Sequence, residues 1–201
     1  MSNVFWDDRY GQAVAAGTAI WSREPNAWIA RVTGSLSPGT AIDLAAGEGR
    51  NALWLASRGW TVTAVDFSAT GLSIGRTRAA ESGLELSWVT ADATIWVSPT
   101  PVDLVVIAYL QLPAAELSSA ISNAIASLAV GGTLALIGHD GENLEHGVGG
   151  PKDAAVLHDL EVVRSAAAGL DIVECRRYDR TTADGMVAID TILLATKPRQ
   201  H

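Results

Sequence analysis

From residue 40 onward, short apolar runs of strand character alternate with stretches whose apolar positions recur at helical spacing. Strands are predicted at Thr40–Leu44, Thr61–Val65, Leu86–Val89, Val102–Ala108 and Thr133–Ile137. The helices between them are predicted from Asn51 to Gly59, from Ser68, a helix-capping residue, to Gly83, and from about Ala114 to Ala129, stopping at Gly131-Gly132. Glycine at such a stop takes the left-handed backbone that closes a helix. Val102–Ala108 is almost continuously apolar, which suits a strand covered on both faces. Strand and helix taking turns in this way predicts a parallel sheet between two helical layers.

Past residue 137 the pattern changes. Gly138 to Pro151 is the one long glycine-rich stretch, followed by a predicted helix over Ala154–Ala168 and strands near Leu170–Cys175 and Val187–Thr196. Thr181 to Gly185 is short and turn-like, so these last two strands pair antiparallel as a hairpin. The predicted fold is α/β: a Rossmann-like three-layer sandwich with a seven-stranded, mostly parallel sheet and a C-terminal antiparallel hairpin. The first 39 residues stand outside the alternation and read as one or two helices rich in Trp and Ala, broken at Pro25. They either cap the open side of the sheet or cover one of its edges or faces. With no internal repeat and no linker, residues 1–201 are expected to form one domain, a helical cap over 1–39 on an α/β core over 40–197.

Composition narrows the classes of function. With 48% hydrophobic and 18% charged residues the chain has ample material for a core, and it has no apolar run long enough for a bilayer. The start, Met-Ser-Asn-Val-Phe-Trp-Asp-Asp-Arg, lacks a basic stretch leading into an apolar one, so a cytoplasmic protein without membrane association is expected. A formal net charge of -8 repels phosphate backbones, and the clustered arginines, Arg76 with Arg78 on a helix and Arg176, Arg177 and Arg180 near a strand end, form no basic patch. Nucleic acid is disfavoured as a partner. A small molecule is expected instead, bound by a monomer or homodimer. Cys175, the single cysteine, sits in an alternating strand and reads as a packed, inert thiol.

The chemistry starts at the first strand. Asp43-Leu44-Ala45-Ala46-Gly47-Glu48-Gly49 is a glycine turn between a parallel strand and a helix, where the backbone approaches a nucleotide-like cofactor closely. Gly47 to Ala52 also satisfies the dinucleotide pattern G-x-G-x-x-G/A, and Asp66 follows at a spacing that suits a ribose hydroxyl with either cofactor. The flanks separate the two. Asp43 would repel a pyrophosphate but attracts a cationic amino acid end, and Asp92-Ala93 places a polar group where an adenine amino group is read. The predicted hairpin also suits S-adenosylmethionine better than a nicotinamide.

On these residues the chain resembles the class I S-adenosylmethionine-dependent methyltransferases, from residue 40 to 197. Their turn reads roughly [DE]-x-G-x-G-x-G, and here Ala45 replaces the first glycine, an alanine expected at negative φ. The resemblance implies a cofactor site of Asp43, Ala45, Gly47, Gly49, Asn51, Asp66 on both ribose hydroxyls, Phe67 against the adenine, and Ser68. Asp92 and Ala93 would read the adenine edge, and Ala108 and Tyr109 would flank the methionine portion. More narrowly, Phe5-Trp6-Asp7-Asp8-Arg9-Tyr10 together with Gly59-Trp60-Thr61-Val62-Thr63-Ala64-Val65-Asp66 looks like the branch of tellurite-resistance and thiopurine methyltransferases. In that branch the N-terminal segment closes over the cofactor, which gives Tyr10 and Trp21 a lid role and leaves Phe5 to packing.

For the acceptor, His139 and Asp140 are the expected catalytic pair, at the carboxyl edge of the fifth strand. His139 either takes a proton or binds an anionic acceptor; equally, both residues fold the glycine loop through local hydrogen bonds. His146 and His158 fall in or just after that loop, at spacings that match no metal site, so no metal is expected. Arg177, Tyr178 and Arg180 either point into the acceptor pocket or, as is expected of arginines beside a turn, lie on the solvated surface. The acceptor is expected to be a small molecule such as a thiol or chalcogen oxyanion, which needs no base. The competing functions are an NAD(P)-dependent reductase using the same turn and a non-catalytic module that keeps only the fold.

Overall fold

The computed structural model describes residues 3–15 and 22–199. Its seven strands follow the order β3-β2-β1-β4-β5-β7-β6, mostly parallel, with helices flanking the sheet. The chain forms two compact units, residues 1–93 and 94–201.

The first unit contains α1 (Asn3–Ala15), α2 (Ala27–Thr33), β1 (Thr40–Leu44), α3 (Arg50–Ser57), β2 (Thr61–Asp66), α4 (Ala69–Glu81) and β3 (Ser87–Thr90). β1, β2 and β3 pair in parallel, with Asp43 opposite Ala64 and Val65 opposite Val89. The break at Pro25 is followed by Asn26, whose side chain accepts from the amides of Trp28 and Ile29 and starts α2. α3 ends at Gly59, left-handed at φ +89, as its sequence position requires. Ile42, Leu44, Leu55, Val65 and Leu72 are fully buried between strands and helices, each contributing roughly 1.5–3 kcal/mol.

The second unit contains β4 (Val102–Ala108), α5 (Ala114–Ser127), β5 (Leu128–His139), α6 (Asn143–His146), α7 (Leu160–Ala166), β6 (Asp171–Thr181) and β7 (Val187–Thr196). Leu104 to Ile107 are wholly buried, in keeping with the apolar run of β4. β5 is parallel to β4 and antiparallel to β7, and β6 closes the hairpin against β7.

Three elements differ from expectation. β5 starts at Leu128, five residues before the predicted Thr133, because the glycine pair makes a bulge rather than a helix stop. Gly131 is left-handed at φ +81, the register against β4 shifts there, and a Cβ on Gly132 would meet the Val102 carbonyl at 2.9 Å. The helix expected over 154–168 is two pieces, a 3-10 turn at Ala154–Val156 and α7, because Asp153 and Asp159 each cap a fresh start. Between them His158 lies beside the end of β5, donating its amide to the His139 carbonyl at 2.8 Å and accepting from Gly141 at 2.9 Å. Finally, β6 runs on to Thr181 rather than ending at Cys175, since every residue from Glu174 onward finds a partner on β7.

Among the described residues no helix is long and apolar enough to cross a membrane, and no group of three metal-ligating side chains comes together.

Candidate functional site

In the first unit the turn after β1 alternates left-handed positions, with φ +63 at Ala45, +56 at Gly47 and +75 at Gly49. Ala45 therefore does not take the ordinary negative φ expected of it. It occupies a glycine conformation, which costs an L-residue roughly 1–2 kcal/mol. Ala45→Gly is expected to raise the unfolding free energy by up to about 1 kcal/mol, the strain relieved less the chain entropy that glycine adds. A urea melt reads this, and a loss of stability would show the alanine to be unstrained. Gly49 is held to glycine by space as well, since a Cβ there would meet the Trp88 ring at 3.0 Å. The same ring stands 2.5 Å from a Cβ placed on Gly75 of α4, so Trp88 on β3 seats both the turn and the helix. Glu48 points inward, buried, and pairs with Arg78 of α4 at 2.7 Å.

Two carboxylates stand beside this turn. Asp43 is 1% exposed; Oδ2 accepts the Ala52 amide at 2.9 Å, while Oδ1 is buried with no partner among the described residues. Burial pushes its carboxyl up to about 7, against the opposing pull of the Ala52 amide and of Arg50. A raised carboxyl binds its proton more tightly folded than unfolded. Between about pH 4 and 7 this group therefore lowers stability as pH rises, by up to about 1.4 kcal/mol per unit. Asp66 accepts the amides of Gly47 through Oδ2 and Ser68 through Oδ1, both at 2.8 Å, so it ties the turn to the end of β2. Burial raises its carboxyl too, with those two amides opposing.

The remaining residues expected at the cofactor divide by what they touch. Ser68 is fully buried; its hydroxyl accepts the Gly71 amide and donates to Asp7 of α1. Tyr10, 4% exposed, lies against Gly71 in the first turn of α4, so α1 docks through Asp7 and Tyr10 at the end of β2. Asn51 accepts the Asn26 amide at 2.9 Å, joining α3 to the cap of α2. Phe67 is half-buried, Asp92 exposed and Ala93 buried, at the ends of β2 and β3. Trp21, and the side chain of Phe5, lie outside the described residues.

In the second unit Tyr109 follows half-buried Ala108 at the end of β4, with φ +60, like Ala45 left-handed without being glycine. Its hydroxyl donates to Asp190 Oδ2 at 3.1 Å, and its ring packs on His139 with centroids 4.9 Å apart. Arg180 Nε donates to the same Oδ2 at 2.7 Å, and its guanidinium lies over the Tyr109 ring. His139 Nδ1 is 3.1 Å from Asp190 Oδ1, at an oblique angle. Burial works to raise the Asp190 carboxyl, but His139 and Arg180 together outweigh it and hold it low.

Asp140 is 1% exposed and takes the Glu142 amide and Arg177 Nε on Oδ1 and the Thr191 hydroxyl on Oδ2. Arg177 is half exposed, in keeping with a surface position, and Arg180 is half-buried; each neutralises a buried carboxylate from the extended part of β6. His158, wholly buried, contacts the Leu110 carbonyl through Nε2 at 2.9 Å, and desolvation lowers its basicity. His146 is exposed beside Glu142 and Glu145. Cys175 is half-buried, its thiol pushed up by burial.

Sequence reasoning missed Asp7, Trp88, the Glu48–Arg78 pair and Asp190. Only Asp190 left a signal, a charge inside the apolar run Val-Ala-Ile-Asp-Thr-Ile-Leu-Leu.

Residues 41–132 match the family model described as a methyltransferase domain, a span that opens in β1 and closes in β5. That span is less than half of the chain, and the chain as a whole has the fold of the class I methyltransferases. Among solved structures it is similar to TehB from Haemophilus influenzae, with a TM-score of 0.73 and 18% identity. That likeness covers 86% of this chain and 62% of the TehB chain, so the chain spans less than two thirds of that relative's length. It is also similar to a SAM-dependent methyltransferase from Methanosarcina mazei, with a TM-score of 0.69, 16% identity, and coverage of 88% and 100%. The N-methyltransferase NodS from Bradyrhizobium japonicum, solved with S-adenosyl-L-homocysteine, gives 0.63, 19%, 96% and 87%. No curated protein is similar enough in sequence to count as a relative.

Proposed function

We propose that the protein transfers a methyl group from S-adenosylmethionine to a small-molecule acceptor. The observation that carries this is the turn after β1, left-handed at positions 45, 47 and 49 and flanked by two buried carboxylates. The unpartnered Asp43 Oδ1 suits the cofactor's ammonium, directly or through water, and Asp66 keeps lone pairs for the ribose hydroxyls. Phe67 offers a face to the adenine, with Asp92 and Ala93 at its edge. When bound, the cofactor supplies an activated methyl on a sulfonium with a neutral leaving group, so the protein's work is to orient the acceptor and exclude water. His139 is the acceptor-contacting residue and Asp140 fixes the segment that carries it. NodS, solved with S-adenosyl-L-homocysteine, and a magnesium protoporphyrin IX methyltransferase from Synechocystis solved with SAM support the choice of cofactor.

An ammonium beside Asp43 favours the ionised carboxylate. Affinity for S-adenosylhomocysteine should then rise by about tenfold from pH 6 to pH 8, with proton release on binding. Calorimetry in buffers of different ionisation enthalpy measures both, and a pH-independent affinity would remove Asp43 from the site. The function itself is tested by following S-adenosylhomocysteine release across thiols, phenols, amines and chalcogen oxyanions. Turnover with any of them supports methyl transfer; turnover with none, over a panel of this breadth, favours a module that keeps only the fold.

A further inference from the structure

We infer that His139 is a general base, held by the positioning residue Asp190 in the tautomer that leaves Nε2 free, and that the acceptor is a weakly acidic hydroxyl such as a phenol. This rests on the methyl-transfer reading above and adds the acceptor class to it.

Asp190 is wholly buried in an apolar strand and stands opposite His139 in the antiparallel register of β5 and β7. Oδ2 is already satisfied by Arg180 Nε and the Tyr109 hydroxyl. Oδ1 faces His139 Nδ1 at 3.1 Å, at an oblique angle, and accepts no well-formed hydrogen bond among the described residues. A carboxylate there keeps the proton on Nδ1, so the neutral ring presents an acceptor at Nε2. Nε2 has no protein partner among the described residues, and with the side chain 14% exposed it keeps access to a ligand. The ring is also fixed from two sides. Tyr109 packs on one face, and a Cβ on Gly150 would come within 2.8 Å of the ring. The left-handed backbone at Tyr109 is a strain retained where it serves this arrangement.

The neighbouring charges choose among acceptors. A thiolate or chalcogen oxyanion carries no proton to remove, and a base would stand idle beside it. An amine would end as a cation next to the Arg180 guanidinium, whose side chain is 26% exposed. A hydroxyl instead gains negative charge as it reacts, which the guanidinium stabilises. The aromatic faces of Tyr109 and His139 suit a ring bearing that hydroxyl. In the step, Nε2 takes the hydroxyl proton while an oxygen electron pair forms the new O–C bond to the methyl. The C–S bond breaks with its pair going to sulfur, leaving a neutral thioether. The imidazolium, balanced by Asp190, then returns its proton to water.

The test uses the full chain, His139→Gln and Asp190→Asn with three readouts. Ring-nitrogen NMR without cofactor should show His139 with its proton on Nδ1, a preference lost in Asp190→Asn. Wild type should methylate para-cresol in preference to para-thiocresol or benzylamine, and His139→Gln should lower kcat on para-cresol about 100-fold with KM little changed. Calorimetry with S-adenosylhomocysteine should show both variants binding like wild type. A proton on Nε2 in wild type overturns the inference. So does para-thiocresol turnover that His139→Gln leaves intact while para-cresol is inert, and in either case cofactor binding preserves the methyl-transfer reading. Absence of cofactor binding to wild type overturns both. If Asp190→Asn does not fold, His139→Gln and the wild-type tautomer decide the matter.

Discussion

Asp66→Ala is expected to bind S-adenosylhomocysteine roughly 100-fold more weakly than the parent chain. Two ribose hydroxyls donating to one carboxylate are charge-assisted hydrogen bonds, worth about 1.5–3 kcal/mol each, and water recovers part of that loss. The same substitution removes the acceptors of the Gly47 and Ser68 amides, so the turn itself loosens. Asp66→Asn separates the two effects, because its amide oxygen still accepts one of these N–H groups. It should recover much of the stability and little of the affinity. Calorimetry paired with a urea melt reads both quantities, and an Asp66→Ala variant that binds like the parent would move the cofactor away from β2.

Asp140→Ala should lower the unfolding free energy by about 3 kcal/mol and leave affinity for S-adenosylhomocysteine within about threefold. The loss comes mainly from the Glu142 amide and the Thr191 hydroxyl, both left without their acceptor. Arg177, half exposed, returns to water at little cost. The proposed reading separates Asp140 from His139 in role: the aspartate latches the segment after β5, whereas the histidine is to meet the acceptor. A variant as stable as the parent but without turnover would instead make Asp140 a catalytic group.

Local signals carried much of this fold. The apolar run of β4, the capping glycine Gly59 and the turn-like residues before β7 each act through neighbours in sequence, and the structure follows them. The failures lie where a distant partner decides. Nothing beside Cys175 indicates that β6 continues to Thr181, because its extension depends on pairing with β7. The two aspartates that split the helix expected after Pro151 are ordinary capping residues, legible only once their competition with a continuous helix is weighed. In the site, the turn and its flanking acids were legible because their spacing is local. The partners of Arg177 and Arg180, Asp140 and Asp190, were not legible because they are 37 and 10 residues away. Ala45 shows a subtler limit. An alanine conveys no sign of positive φ, and only the glycine that the family pattern has there hinted at it.

The central claim, that the turn from Asp43 to Gly49 holds S-adenosylmethionine, is tested most directly by titrating the full chain with S-adenosylhomocysteine in a calorimeter. A single saturable site in the micromolar range, lost in Asp66→Ala, is the expected result. No heat at millimolar ligand, with NADH binding in its place, would contradict it.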